Sequence, residues 1–328
     1  MSSRNLEILL TEYEQKRRKS EIDLEHRKEE LYKRYPRLEE IDIQINKISI
    51  NKAKAILKKN STDDFEEKIY KLKMEKEEIL KKEKIDKSFF KQAYECDICK
   101  DTGYTLDKNN KMIQCNCLTQ NILNSLYNKS NLSNIDMENF KNFDEEVFSN
   151  KILSGFGGSP RDNIINIKNA GWNFINNFDD PNTKNLLFLG NTGLGKSYMS
   201  NCIANELLKK GKTVLYQTAP VLLETIIDNK FNKYKTSNTN DFYNQVLTVD
   251  LLIIDDLGTE YLNAMKLSEL FTIINTRLLN LNKITKTIIS TNLDIRQIFN
   301  VYEERIGSRI AKYYDRYQFF GEDLRLKH

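Results

Sequence analysis

The chain has 328 residues, 39% hydrophobic and 30% charged, with 12 glycines and 4 prolines; this excludes collagen-like and Pro/Gly-rich disordered chains and leaves a helix-rich soluble protein of about two folding units. The net charge of +4, from 51 Lys and Arg against 47 Asp and Glu, neither demands nor forbids a nucleic-acid partner, so any DNA-binding face is local. No apolar run approaches a membrane span, and the N-terminus lacks the basic-then-apolar order of a signal peptide, which predicts a cytoplasmic protein without membrane contact.

The chain opens with a segment of distinct composition: 45 of residues 1–95 are charged, against 53 of the remaining 233. Apolar residues recur there at helical spacing, first Ile41, Ile45, Ile48 and Ala55, then Phe65, Ile69, Leu72 and Ile79. Breaks fall at Pro36 and at Asn60-Ser61-Thr62-Asp63. The pattern predicts a helical or coiled-coil region of two or three long helices, and both a solvated bundle and an arm that docks on another protein fit it.

Residues 96–117 carry Cys96-x2-Cys99-x15-Cys115-x-Cys117, while the two histidines, His26 and His328, are remote in sequence. In a chain without an export signal such spacing points to metal rather than disulfides. Four thiolates predict a closed, tetrahedral, structural zinc (Zn2+) site. A redox pair at Cys96 and Cys99, or four unrelated thiols, are the alternatives. Cys202 falls on the apolar face of a later helix and reads as core packing.

Residues 118–160 form an Asn-rich linker with aromatic anchors at Phe140, Phe143 and Phe148, and Leu153–Gly158 is a Gly-rich loop within it. From 161 to 328, apolar runs at Asn185–Leu189, Thr213–Gln217, Leu251–Ile254 and Thr287–Ser290 alternate with helical stretches, which predicts an α/β domain with a covered parallel sheet.

Directly after the first of those strands stands Gly190-Asn191-Thr192-Gly193-Leu194-Gly195-Lys196-Ser197, opening a helix predicted over Tyr198–Lys210. Glycines let backbone N–H groups wrap a polyphosphate at a helix N-terminus, lysine reaches the outer phosphates, and serine ligates Mg2+. The predicted ATP-binding set is this run with Tyr198 and Asp255. Asp255 and Asp256 end the third strand, where open α/β sheets bind ligands; Asp255 suits holding Mg2+ through water and Asp256 polarising the attacking water. Two carboxylates that merely cap a following helix are the structural alternative. Asn292 ends the fourth strand, placed to sense the γ-phosphate. Arg305 and Arg309 lie four apart on one helical face, and Arg325 follows near the C-terminus. Lys230, Lys233, Tyr234 and Lys235, within the segment Ala219–Gln245, suit single-stranded DNA or a solvated loop equally.

The Gly190–Ser197 loop, the Leu251–Gly258 strand, Ile289–Asn292, Arg305–Ile310 and Gly321-Glu322-Asp323-Leu324-Arg325, in that order, resemble the AAA+ P-loop ATPases. Specifically, residues 140–328 resemble the bacterial replicative-helicase loaders of the DnaC/DnaI type, with the transposition ATPase IstB as a sister. Asp256 departs from the Asp-Glu of many relatives. The resemblance implies a nucleotide site of Lys196, Ser197, Asp255 and Asp256, with Asn292 as sensor 1. It makes Arg309 the foremost arginine finger and Arg305 the second, and Arg325 a sensor 2-like residue. It implies an ATPase that places a hexameric replicative DNA helicase on single-stranded DNA as an ATP-dependent homo-oligomer. The sister implication is a helper that binds DNA and recruits a transposase. The cysteine module resembles the zinc-bearing N-terminal domain of DnaI-type loaders, although Cys115-x-Cys117 replaces the commoner C-x-x-C. IstB-type proteins usually lack such a module, which favours helicase docking through residues 1–117.

Overall fold

The structure, a computed structural model, describes residues 3–57, 63–124, 137–231 and 239–327. The chain divides into two compact units, Leu10–Ile113 and Met1–Leu9 with Gln114–His328. Among the described residues no helix is long and apolar enough to cross a membrane.

The first unit is built on α1 (Ser3–Arg34), α2 (Pro36–Leu57) and α3 (Asp63–Lys82). Pro36 sits at the first position of α2, where its fixed φ and missing N–H favour a helix start. Ile41 is buried and Ile45, Ile48 and Ala55 are half-buried, as are Phe65, Ile69, Leu72 and Ile79 on α3. Leu31, Leu38 and Leu80 form a small core, flanked by Tyr32, Tyr35 and Phe90. Ion pairs lace the hairpin, Arg37 to Glu75 at 2.7 Å and Lys52 to Glu66 at 2.6 Å. Exposed pairs of this kind set register more than they stabilise. A short hairpin follows, β1 (Tyr104–Leu106) and β2 (Met112–Gln114), closed by the Asp107 carboxylate, which accepts from the backbone N–H groups of Asn109 and Lys111.

The second unit begins with α4 (Asn116–Leu123), within a stretch that the sequence presents as polar connection, and continues with α5 (Pro160–Asn176), β3 (Asn185–Leu189), α6 (Lys196–Lys209) and β4 (Val214–Thr218). Then come α7 (Ala219–Phe231), α8 (Thr239–Thr248), β5 (Leu251–Leu257), α9 (Ala264–Leu278), β6 (Lys286–Thr291), α10 (Ile295–Tyr313) and β7 (Tyr314–Gln318). The sheet runs β4-β5-β6-β3-β7, with every pairing parallel. β3 and β6 are buried along their whole length, as strands covered on both faces must be. One core layer packs Leu215, Leu252 and Ile289 with Ile273 and Ile306, and the other packs Phe188, Ile253 and Ile288 with Ile164 and Ile203.

Both edges are managed. Gln120 of α4 donates to Val214 O at 3.0 Å and accepts from Val214 N at 2.7 Å, so its side chain occupies backbone groups on the edge strand β4. At the other edge β7 is largely exposed and polar, a strand that no apolar run in the sequence announces. The buried guanidinium of Arg277 donates to the carbonyls of Val246, Val249, Asp250 and Lys286 and to Thr287 Oγ1. It thereby ties α8 to the starts of β5 and β6 and fixes where both strands begin.

Candidate nucleotide-binding site

Strand order explains the site. Because β6 lies between β5 and β3, the residues at its carboxyl end touch both the loop after β3 and the carboxylates of β5. That loop turns sharply: Gly190, Gly193 and Gly195 all have positive φ. Gly193 also packs under the chain's last segment. A Cβ there would collide with the Asp323 carboxylate, and Leu324 N–H donates to Gly193 O at 3.0 Å. An open cavity of about 400 Å3 lies between Asn191, Thr192, Leu194, Asn292, Gly321 and Asp323, a size that suits a nucleotide-scale ligand.

Lys196 begins α6 and is buried. Its ammonium donates to Gly190 O at 2.6 Å, Asn191 O at 2.7 Å and Asn292 Oδ1 at 2.8 Å. Burial pushes its pKa down, against the opposing pull of Asp256 and Asp255. Asn292 also donates from Nδ2 to Thr192 Oγ1 at 3.3 Å. Next to this cluster Ser197 Oγ donates to Asp255 Oδ2 at 2.8 Å, leaving the hydroxyl's lone pairs for a hard cation. A serine hydroxyl beside a buried carboxylate is the oxygen donor set that Mg2+ takes. Ser290 donates to the other oxygen of Asp255, and Tyr216 donates to Oδ2 at 2.5 Å.

Asp256 differs from its neighbour. A register shift between Ile254 and Leu257 bends β5, and Asp256 takes a left-handed φ of 53°, a conformation disfavoured for a residue with a Cβ and concentrated at functional sites. Burial raises its pKa, reinforced by Asp255 and opposed by Lys196 and Arg325. A folded-state pKa above the unfolded value means stability is fully present below the unfolded pKa, about 3.9, and is lost as pH rises through the folded one. Asp256→Asn, which tolerates the same φ, therefore raises the thermal midpoint more at pH 8 than at pH 5. An equal gap at both pH values contradicts the assignment.

Tyr198 projects from the first turn of α6 against Phe143, with ring centroids 5.5 Å apart. Arg325 carries a charge close enough to influence both Lys196 and Asp256. Arg305 and Arg309 stand apart. Their guanidinium groups lie 4.9 and 4.6 Å from the Phe271 ring centre, and Arg309 Nε donates to Asn275 Oδ1 at 2.9 Å. Since α9 leads from the carboxyl end of β5 to the amino end of β6, Asn275 near its C-terminus lies toward the opposite end of the sheet. Glu303, with φ 66° and ψ 158°, breaks α10 immediately before this arginine helix. Lys230 is engaged by Glu269 at 2.6 Å and by the Tyr243 ring, whereas Lys233, Tyr234 and Lys235 lie outside the described residues. Of the residues that contact the carboxylates, Tyr216 and Ser290 were not singled out by sequence reasoning; Ser290 stood inside a recognised motif, and Tyr216 reads as an ordinary core aromatic.

The sulfur atoms of Cys96, Cys99, Cys115 and Cys117 all lie within 4.8 Å of one another, close to the roughly 3.8 Å edge of a tetrahedron with Zn–S bonds of about 2.3 Å. Lys100 and Asp101 adopt left-handed φ, folding a knuckle in which the Asp101 carboxylate accepts from Cys96 N at 2.8 Å and Glu95 N at 3.0 Å. The donor set fits zinc. Cys202, by contrast, is fully buried in the core beneath α6, where desolvation pushes its thiol up to about 12.

A phosphate loop on a parallel sheet, facing two strand-end carboxylates and a strand-end asparagine, defines a nucleotide-binding P-loop domain. Residues 166–312 match the family described as IstB-like ATP binding protein. The replicative helicase loader DnaC of Escherichia coli (strain K12) is 34% identical over 83 residues, 25% of this chain and 32% of that protein. DnaC of Buchnera aphidicola subsp. Baizongia pistaciae (strain Bp) is 28% identical over 141 residues, 43% of this chain and 55% of that protein. The matched region thus spans about a third to a half of these relatives. Among solved structures, that of DnaI aligns with 56% of this chain and 94% of its own at 22% identity and a TM-score of 0.42. Over this region the chain is similar to IstB-like ATP-binding proteins and to DnaC helicase loaders.

Proposed function

We propose that the protein is an ATP-dependent loader of the hexameric replicative DNA helicase onto single-stranded DNA. In this reading residues 1–95 and the zinc module at 96–117 grip the helicase, residues 118–160 connect, and residues 161–328 are the ATPase. The observation that carries the reading is the four-thiol cluster borne by the same chain as an IstB-like ATP-binding domain, since a loader needs an element besides the ATPase with which to hold its cargo.

The bonds of Lys196 suggest how nucleotide acts as a switch. When ATP binds, Lys196 exchanges its three oxygen acceptors for phosphate oxygens, and Asn292 is released toward the γ-phosphate. Such a change of partners supplies the differential contacts that any ligand-driven switch requires. Ser197 and Asp255 would hold Mg2+, which supplies charge neutralisation of the phosphates. Asp256, displaced from regular strand geometry, orients the attacking water. Arg309, with Arg305 behind it, reaches the nucleotide of an adjacent copy in an ATP-dependent homo-oligomer, consistent with its place away from its own pocket. Arg325 answers to the phosphates of its own chain.

The test is reconstitution on single-stranded DNA coated with single-strand-binding protein. ATP with this protein is expected to put the host's replicative helicase on the DNA, and the absence of any stimulation overturns the reading. The family match itself favours one second reading, a helper ATPase that binds duplex DNA and recruits a transposase; delivery of a transposase rather than a helicase would establish it.

A further inference from the structure

Asp255 is held more tightly than a water-mediated metal ligand at a strand end needs to be, and one of its donors comes from an unexpected quarter. Tyr216 lies on the edge strand β4, paired in register with Ile253. Its ring is buried in the layer containing Phe188, Met199, Ile203 and Ile253, and only its hydroxyl emerges at the site. There it donates to Asp255 Oδ2 at 2.5 Å, the same oxygen that accepts from Ser197 Oγ at 2.8 Å. The opposite oxygen accepts from Ser290 and from Asp256 N at 3.1 Å.

We propose that Tyr216 is a positioning residue of the metal half of the nucleotide site, its hydroxyl fixing the Asp255 carboxylate, and through it Ser197, in the arrangement that receives Mg2+. The inference rests on the ATP-site reading above. Of the other donors described here, Ser290 of β6 and the backbone neighbour Asp256 engage Oδ1. On Oδ2, Tyr216 is the donor supplied from the sheet core; the other is Ser197, which must turn its lone pairs to the cation. A fixed phenol leaves Ser197 to do so without letting the carboxylate rotate.

Tyr216→Phe removes the hydroxyl and keeps the ring. In the full-length protein, binding of a fluorescent ATP analogue is measured against Mg2+ concentration and again in EDTA, with the thermal midpoint recorded alongside. The expected result is a rise of about tenfold in the Mg2+ concentration for half-maximal binding, the lower end of the range seen when groups that orient metal ligands are removed. Metal-free affinity stays at the wild-type value, while the thermal midpoint falls modestly through the loss of one buried hydrogen bond, with the protein still folded. Ser290→Ala, which loosens Oδ1 instead, serves as the second variant and is expected to shift the same Mg2+ curve. An unchanged Mg2+ curve in Tyr216→Phe, or an equal loss of affinity with and without metal, overturns the role of Tyr216 and leaves the ATP-site reading standing. A wild-type protein that binds no nucleotide removes both.

Discussion

Lys196→Ala is expected to lower ATP affinity by about 100- to 1,000-fold without unfolding the protein. A buried ammonium making two or more charge-assisted bonds to phosphate oxygens contributes about 3–4 kcal/mol to binding, and each 1.4 kcal/mol is a factor of ten. The fold loses little, because the buried ammonium is already held against a desolvation cost that lowers its pKa. Titration with labelled ATP and a thermal melt on the same sample separate the two effects. Loss of affinity accompanied by a collapse of the melt would assign Lys196 to the scaffold instead. Asp256→Asn provides the complement: binding persists and hydrolysis stops if Asp256 orients water.

The second large effect concerns the thiols. Zinc bound by four cysteines contributes on the order of 10 kcal/mol to folding, and Cys99 and Cys115 are both buried. Cys99→Ser is therefore expected to take bound zinc from one ion per chain to none and to open residues 96–117 to amide exchange and proteolysis. ATP affinity is expected to remain that of the wild type, because the phosphate loop and its carboxylates are assembled on the sheet. Cys202→Ser, the control, keeps its zinc, since that thiol packs in the sheet core. Full zinc content in Cys99→Ser would refute the four-thiolate site.

Much of the fold is legible in the sequence because covered parallel strands leave unbroken apolar runs: β3, β5 and β6 are buried on both faces and could be located from composition alone. β7 could not, since an edge strand with exposed Asp315, Arg316 and Gln318 carries the polarity of a loop. β1 and β2 are too short for a period, and α4 is recognised only once Gln120 is seen to occupy the backbone of β4. The phosphate loop, the carboxylate pair and Asn292 were legible as letters because chemistry fixes their identity. Their mutual contact follows from β6 lying between β5 and β3, a matter of long-range pairing that no local pattern encodes. Tyr216 escaped notice for a related reason: in a strand of buried residues its ring reads as packing, and only the sheet register shows where the hydroxyl goes. The left-handed φ of Asp256 and the break at Glu303 likewise arise where tertiary packing overrides local preference.

The most direct test of the proposed loader function is co-purification of the full-length tagged protein with the replicative helicase of its own host, with and without ATP. Helicase is expected to be captured by the wild type and also by Lys196→Ala, with ATP altering the complex only in the wild type. Recovery of no helicase in either nucleotide state would contradict the loader function.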